Sequence, residues 1–314
     1  MRAIVYEQYG PPEVLQLKEL PKPSPKAGEV LIKIHATTAH IGDVRMRIPN
    51  PFLARLVNGL FRPKKIPVLG MELAGDVAAI GEGATCFAPG ERVFAFAGFG
   101  FGAYAEYICL PEHGTTKTGL VEQMPANLTY EQAGALAGGG MTALALIKKA
   151  QLQPGQKILI YGASGSVGTF TLQLAKHSDA EVTGVCSGAN LELVQSLGAD
   201  HVFDYTREDF TADGQIYDVI LDAVHKMDPK QGKKVLKKGG IYLDVHKDSD
   251  SDAKPGGEVM RQLKELAEAE VLTPVIDRTY PLEAIVEAHR YVQAGHKKGN
   301  VVIRVIPEAE SEGH

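Results

Sequence analysis

Long apolar runs are missing from the 314 residues, and none approaches the roughly 20 needed to cross a bilayer, so no membrane-spanning helix is expected. Cysteine is scarce: Cys86, Cys109 and Cys186 stand far apart, odd in number and with no C-x-x-C pair. That argues against a cysteine zinc cage and points to a reducing compartment. A large excess of either charge is also lacking. The formal net charge of −5 argues against nucleic acid or an anionic membrane as the main partner. Lys233, Lys234, Lys237 and Lys238 read as one solvated helix face, because lysines three and four apart share a side. The opening residues, MRAIVYEQYG, read as a strand and not as a signal peptide, so a cytoplasmic protein is expected. The composition is that of a soluble globular protein, and the length suffices for two domains, each with its own core.

What is present centres on KILIYGASGSVGTFTLQLAKH, residues 157–177. A run of β-formers breaks at Gly162, and glycines 162, 165 and 168 open an amphipathic segment, which reads as strand, tight turn and helix. Gly162 lets the chain reverse, Gly165 lets backbone N–H groups approach a pyrophosphate, and Gly168 lets the helix lie close to the sheet. The positive helix end then faces the anion. The candidate phosphate-binding set is therefore Gly162, Ala163, Ser164, Gly165, Ser166, Val167 and Gly168. Further strands, EVTGVCS, HVFDY, YDVILDAV and GGIYLDV, alternate with helices, which predicts a parallel sheet covered on both faces.

The first 122 residues instead alternate short strands with Gly/Pro turns, the pattern of a small β-rich barrel-like domain. In GEVLIKIHA, Val30, Ile32 and Ile34 alternate with Leu31, Lys33 and His35, so one face is expected to be buried. Residues 44–67 read as a loop with one short helix, either a lid over a pocket or a surface excursion. From Thr129, YEQAGALAGGGMTALALIKKA takes helical period and marks the passage between domains. EVMRQLKELAEAE reads as a strong helix, the tail as strand, helix and strand, and PEAESEGH as a frayed polar end.

The chain resembles the medium-chain dehydrogenase/reductase superfamily, in its zinc-free quinone oxidoreductase-like branch, along essentially its whole length. The resemblance rests on AGEVLIKIHA, LGMELAGDVAAIG, PGERVFAF, GGGMTALAL, YGASGSVG, SLGADHVFDYTREDF and AHRYVQAGHKKGNVVI. It implies an α/β protein: a GroES-like catalytic domain of residues 1–122 and 276–314, with a Rossmann domain, a doubly wound parallel sheet, inserted as 123–275. Zinc-dependent relatives carry Cys, His and Cys where this chain has His40, Met71 and Gly138. A catalytic zinc needs three protein ligands, so none is expected. The family's sixth Rossmann strand, which pairs across its dimer, is missing between GGIYLDV and the next helix. A monomer or a dimer of another kind follows.

Preference for NAD goes with an acid about 20 residues past the glycines. Here the second strand ends CSGAN without one, which permits NADP, with Ser187 and Asn190 available as hydrogen-bond donors to its phosphate. The resemblance adds Tyr205 as a phosphate contact, although the arginine many relatives carry in this loop is replaced by Gly188 and Ala189. It also implies that Thr142, Lys298, Gly299 and Asn300 border the nicotinamide, together with Val224 and His225, where relatives usually have glycine at the second. NADPH is the expected cofactor.

Without a Lewis acid, hydride transfer to a quinone or enone is easier than alcohol–ketone interconversion, because conjugation spreads the charge. His40 and Asp43 lie at the family's pocket edge, His40 as a candidate proton donor or a packing histidine. Asp43 either orients His40 or caps the next turn. Met46, Ile48, Phe52, Leu53, Leu56, Phe99 and Phe101 are either an apolar substrate wall or core residues. The expected activity is NADPH-dependent reduction of a quinone or enone. A cofactor-binding protein with little turnover and a zinc-independent alcohol dehydrogenase are the alternatives.

Overall fold

The computed structural model describes residues 1–49, 54–249 and 257–306; Phe52, Leu53 and the polar end 307–314 lie outside them. In chain order, β1 (Arg2–Val5) and β2 (Gln16–Glu19) pair as a two-stranded ribbon. Then come β3 (Glu29–Thr38), α1 (Ile41–Arg47), α2 (Ala54–Asn58), β4 (Glu72–Ile80), β5 (Arg92–Phe96), β6 (Tyr107–Pro111), β7 (Leu120–Gln123) and α3 (Tyr130–Gly134). They are followed by α4 (Ala137–Ala150), β8 (Lys157–Tyr161), α5 (Ser166–His177), β9 (Glu181–Cys186), α6 (Leu191–Ser196), β10 (His201–Asp204) and β11 (Tyr217–Asp222). The last elements are α7 (Pro229–Val235), β12 (Leu236–Asp244), α8 (Val245–Asp248), α9 (Gly257–Glu268), β13 (Ile276–Pro281), α10 (Ile285–Ala294) and β14 (Asn300–Arg304). Two compact units result. One gathers the chain to Gly138, α9 and the chain from Ile276; the other runs from Gly139 through α8 and takes in residues 269–275.

The first unit holds the sheet β13-β14-β3-β4-β5-β7, with β6 on β3; only β13 and β14 run parallel. Val30, Ile32 and Ile34 are buried as the alternation in GEVLIKIHA requires, while Lys33 and His35 stay partly wet; Leu31 is buried on the opposite face. Where one helix was expected from Thr129, there are two. Thr129 caps α3 through a reciprocal pair with Gln132, and the helix stops at Ala135 before α4 starts. Helix α9 buries Met260, Leu263 and Ala267 and was expected to cover the parallel sheet. It packs instead in the first unit, where Asn127 Nδ2 donates to Ala267 O at 2.8 Å and Lys264 Nζ to Gln123 Oε1 at 3.3 Å. Residues 123–138 also belong to this unit, beyond the division at 122 that the resemblance implies.

The second unit is a parallel sheet in the order β10-β9-β8-β11-β12, doubly wound. Its strands are near-continuous apolar runs because both faces are covered. Ile158, Ile160, Val182, Val219 and Leu221 pack with Leu172 and Ala175 of α5 on one side. Leu159, Val185 and Ile220 pack with Phe210, Met227 and Val235 on the other. Each such side chain contributes about 1.5–3 kcal/mol by leaving water. Among the described residues no sixth strand follows β12. The lysine cluster does not share a helix face. Lys233 and Lys234 end α7, whereas Lys237 and Lys238 lie in β12, where Lys237 pairs with Asp218 at 2.7 Å.

Candidate functional site

In the second unit, β8 delivers the chain to Gly162 at φ +81°, a conformation that favours glycine; a side chain there would also strike Val224. The N–H groups of Gly162 and Ala163 both bond Val185 O, which ties the turn to β9. At Gly168 a Cβ would lie 2.2 Å from Gly162 O, so only glycine lets α5 start this close to the turn. Gly165 is the N-cap of α5 and has no side chain to bond the first helical N–H groups. A Cβ at Gly165 would meet nothing nearer than Gly162 O at 3.5 Å, so an open cradle lies over a helix N-terminus. That fits a pyrophosphate. Ser166, expected as a contact, turns its hydroxyl toward Gly139, where it is buried and makes no hydrogen bond; what it offers at the turn is backbone, as does Val167.

Beside the turn, Asn190 is buried and its Nδ2 donates to Ser164 Oγ at 3.0 Å and to Ser187 Oγ at 3.2 Å. Three residues singled out from the sequence thus form one set. Each serine accepts from Asn190 and keeps its own O–H for another acceptor. Sequence reasoning found no acid at the end of β9, yet one arrives from the neighbouring strand. Asp204 ends β10 against Gly188, and its Oδ1 accepts from Thr206 N at 3.0 Å and Thr206 Oγ1 at 2.7 Å. The bonds from Thr206 hold its carboxyl below the usual range. A cation follows at this strand end, where Arg207 Nε lies 3.8 Å from Asp204 Oδ2. Tyr205 follows, half exposed, its N–H on Cys186 O at 3.1 Å.

At the ends of β11 and β12, Asp222 builds a turn by accepting from Val224 N at 3.0 Å and Met227 N at 2.8 Å. The turn places Val224 over Gly162 and forces His225 to φ +56°, which explains glycine as the usual residue at this position. His225 Nδ1 meets Asp244 Oδ2 at 2.6 Å, and its ring lies 4.5 Å from that of His246. Burial alone raises the Asp244 pKa, but the bonds from His225 and the His246 N–H outweigh it and keep the carboxylate charged. Thr142 sits in the second turn of α4, partly exposed.

In the first unit, His40 caps α1. Its Nδ1 accepts from Gly42 N at 3.0 Å, and its own N–H bonds Asp43 Oδ2 at 2.9 Å. Burial, followed by the charges of Lys297 and Arg45, pushes the imidazole down to about 4. The lowered pKa favours a neutral His40 near pH 7, and with Nδ1 accepting from Gly42 the proton lies on Nε2. It can donate a hydrogen bond from Nε2. Asp43 is the cap, not an orienting carboxylate toward the ring. It also accepts from Gly70 N at 2.9 Å, and burial pushes it up to about 7. Behind it runs a buried chain of donors: Arg47 Nε to His289 Nδ1 at 3.3 Å, His289 Nε2 to Tyr104 Oη at 3.1 Å, and Tyr104 to Asp43.

Met71 Sδ lies across Gly42 from the His40 ring, and Gly138 brings only its N–H, to Glu72 Oε2 at 2.5 Å. Glu72, passed over in the sequence, is fully buried, accepts from Thr38 Oγ1 at 2.6 Å and has its pKa raised by burial. Lys297 was also passed over in favour of its neighbour. Burial pushes it down to about 8 against the pull of Glu72 and Asp277, and its Nζ donates to Gly299 O. The signal available was a lysine beside a positive-φ glycine at a strand start. Lys298 bonds Asp277 Oδ2 through its backbone at 2.9 Å, and Asn300 is buried at the head of β14, next to the Ala39 N–H bond to Val301 O. The apolar wall divides: Met46, Ile48 and Phe101 pack on the core, whereas Leu56 and Phe99 are exposed.

A β-rich unit whose chain is interrupted by a doubly wound sheet with an open glycine turn defines a two-unit dinucleotide-binding fold. Residues 26–122 match the alcohol dehydrogenase GroES-like domain, and residues 197–303 match the zinc-binding dehydrogenase family. The chain is 32% identical to a 2-methylene-furan-3-one reductase of Solanum lycopersicum and 30% identical to an NADPH-dependent alkenal/one oxidoreductase of Arabidopsis thaliana. Each alignment covers 98% of this chain and 80% of the relative. The quinone oxidoreductase structure from Coxiella burnetii superposes with a TM-score of 0.86 at 28% identity, over 98% of this chain and 99% of that one. The chain belongs to the medium-chain dehydrogenase/reductase superfamily, among its quinone oxidoreductase-like members.

Proposed function

We propose that this protein is an NADPH-dependent oxidoreductase that reduces a quinone or an α,β-unsaturated carbonyl, an enone or alkenal, without zinc. The observation that carries the NADPH reading is the Ser164–Asn190–Ser187 set beside the open glycine turn, which offers two hydroxyl donors, while Arg207, 3.8 Å from the Asp204 carboxylate, opposes that charge. Arg207 and Tyr205 add donors for a 2′-phosphate. The second unit holds the dinucleotide through residues 162–168, Ser187, Asn190 and Tyr205, with Thr142 and Val224 toward the nicotinamide; Lys298, Gly299 and Asn300 of the first unit are nicotinamide contacts on the family resemblance alone. When bound, the reduced nicotinamide supplies the hydride.

His40 contributes the Nε2–H as a fixed donor to the carbonyl oxygen on which charge develops, a role that suits a neutral imidazole. The Gly42 N–H holds the ring at Nδ1, and Asp43, with the buried chain behind it, fixes the backbone from which the ring projects. With Met71 and Gly138 in place of ligands, only His40 of that trio brings a metal-binding nitrogen, which favours conjugated acceptors over alcohols. The names of the relatives support that class, since they cite a methylene-furanone, alkenals and quinones. No helix among the described residues is long and apolar enough to cross a membrane. The scarce, unpaired cysteines favour a reducing compartment, and a cytoplasmic location is our proposal. We expect a monomer, or a dimer that does not pair through a sixth strand, and light scattering that returned the family-type dimer would refute this.

The test is a fluorescence titration with NADPH and NADH, followed by NADPH oxidation with 1,4-benzoquinone, 9,10-phenanthrenequinone and an alkenal. Tighter NADPH binding with turnover of any acceptor supports the reading. Binding without turnover moves the assignment to a cofactor-binding protein, and no micromolar binding of either nucleotide overturns it.

A further inference from the structure

A second chemically active cluster lies on the first unit, made from loops that the sheet register brings to one end. The first residues of β3 face the last of both neighbours: Val30 is paired with Ile80 of β4, and Glu29 with Pro111 of β6. The loop after β4 and the loop after β6 therefore leave the sheet side by side. Gly28 locks them, its N–H on Glu82 O at 2.9 Å and its carbonyl accepting from Glu112 N at 3.0 Å. Cys86 lies in the first loop, and Glu112 and His113 open the second.

The Glu112 carboxylate is divided between two tasks. Its Oε2 accepts from the N–H groups of Thr85 and Cys86, both at 2.8 Å, which fixes the carboxyl plane. Its Oε1 lies 3.8 Å from His113 Nε2, and His113 Nε2 lies 3.6 Å from Cys86 Sγ. All three donor atoms fall within 4.8 Å of one another. Around a tetrahedral zinc, bond lengths of about 2.3 Å to sulfur and 2.0 Å to nitrogen or oxygen give an S···N edge of about 3.5 Å and an N···O edge of about 3.3 Å. The sulfur–nitrogen separation already matches. The oxygen–nitrogen separation closes with a shift of about 0.5 Å, within reach of a histidine side chain that is 78% exposed.

We propose that Cys86, Glu112 and His113 form a zinc-binding site on the β-rich unit, with water in the fourth position, separate from the residues assigned to the reduction. A thiolate, an imidazole and one carboxylate oxygen suit zinc and are a poor set for magnesium or calcium, which take oxygen ligands. Binding transfers the thiol proton to solvent and leaves a thiolate on the metal. The ion clamps the two loops where backbone bonds, the Glu112 carboxylate and the Cys86–His113 contact now join them. It is not the catalytic zinc of the family, because neither His40 nor Met71 takes part.

The experiment is a zinc titration of the intact protein against a chromophoric chelator, repeated with cobalt to read the thiolate-to-metal absorption band. Cys86→Ser and His113→Ala are compared with Cys109→Ser as control. Cys86 and His113 are exposed, so these variants are expected to fold, which thermal unfolding without metal checks. One ion per chain at micromolar zinc is expected, with a cobalt thiolate band and a zinc-dependent rise in Tm, all retained in Cys109→Ser. Loss of a direct ligand should weaken binding by more than about 100-fold, since even outer partners of ligands are worth 10- to 100-fold. No stoichiometric binding, or equal binding in Cys86→Ser, would overturn the site.

Discussion

Replacing Gly165 by alanine separates binding from stability. In the protein alone the new methyl meets only Gly162 O at 3.5 Å, an ordinary contact, and the residue already has φ −79°. Alanine is a worse N-cap than glycine by up to about 1 kcal/mol, while the stiffer unfolded chain returns about 0.4–1 kcal/mol. Tm should therefore stay within about 2 °C of the parent. The methyl nevertheless fills the cradle over the first N–H groups of α5. An overpacked contact of this kind costs about 1–3 kcal/mol, which is roughly a 5- to 150-fold loss of NADPH affinity. Gly168→Ala is the contrast. Its methyl would stand 2.2 Å from Gly162 O, so backbone must move and Tm should fall by several degrees, about 2–4 °C per kcal/mol for a chain of this order of size. The assays are a fluorescence titration with NADPH and a thermal melt on each variant. Unchanged NADPH affinity in Gly165→Ala would refute the assignment of the turn.

Asn190→Asp puts a carboxylate between Ser164 and Ser187, and should weaken NADPH by at least about tenfold while sparing NADH, a 1.4 kcal/mol change in preference; a parallel loss of both nucleotides would count against the 2′-phosphate position. His40→Gln and His40→Ala should lower kcat by about 10- to 1,000-fold with unchanged NADPH affinity. The His40 imidazole, neutral down to about 4, should add no ionisation near pH 6.5, so any inflection there from Asp43, pushed up to about 7, should persist in His40→Gln; a profile falling near 6.5 only in the parent would restore the acid role. His289 takes up its proton at about 3 in the folded state, below the free value of 6.5. Its contribution is thus complete above about pH 6.5 and declines as pH falls toward 3. His289→Gln, which can still accept from Arg47 and donate to Tyr104, should flatten the loss of Tm between pH 6.5 and 4, and an equally steep loss would contradict the buried neutral histidine.

Much of the site was legible because it is local. The glycine turn is a contiguous stretch whose strand, turn and helix follow from β-formers, positive φ at Gly162 and close packing at Gly168. The wet and dry faces of β3 follow from a period of two. Local pattern failed where a partner came from elsewhere in the chain. No inspection of CSGAN shows that Asp204 comes to Gly188 from the next strand, because strand order, and not spacing, brings it there. The lysines at 233–238 have helical spacing, but β12 begins between them.

The amino-acid sequence by itself determined the two kinds of sheet and the place of the glycine turn, since periodicity and turn chemistry act over a few residues. Only the tertiary structure decided charge and company. The His40 imidazole is pushed down to about 4 by burial and then by the charges of Lys297 and Arg45, and Gly70 and Tyr104 reach Asp43 from distant segments, whereas its cap bond to the His40 N–H is local. Cys86, Glu112 and His113 meet because β3 pairs with β4 on one edge and β6 on the other. Desolvation and through-space contact depend on the packed arrangement, and neither leaves a mark on the local order of residues.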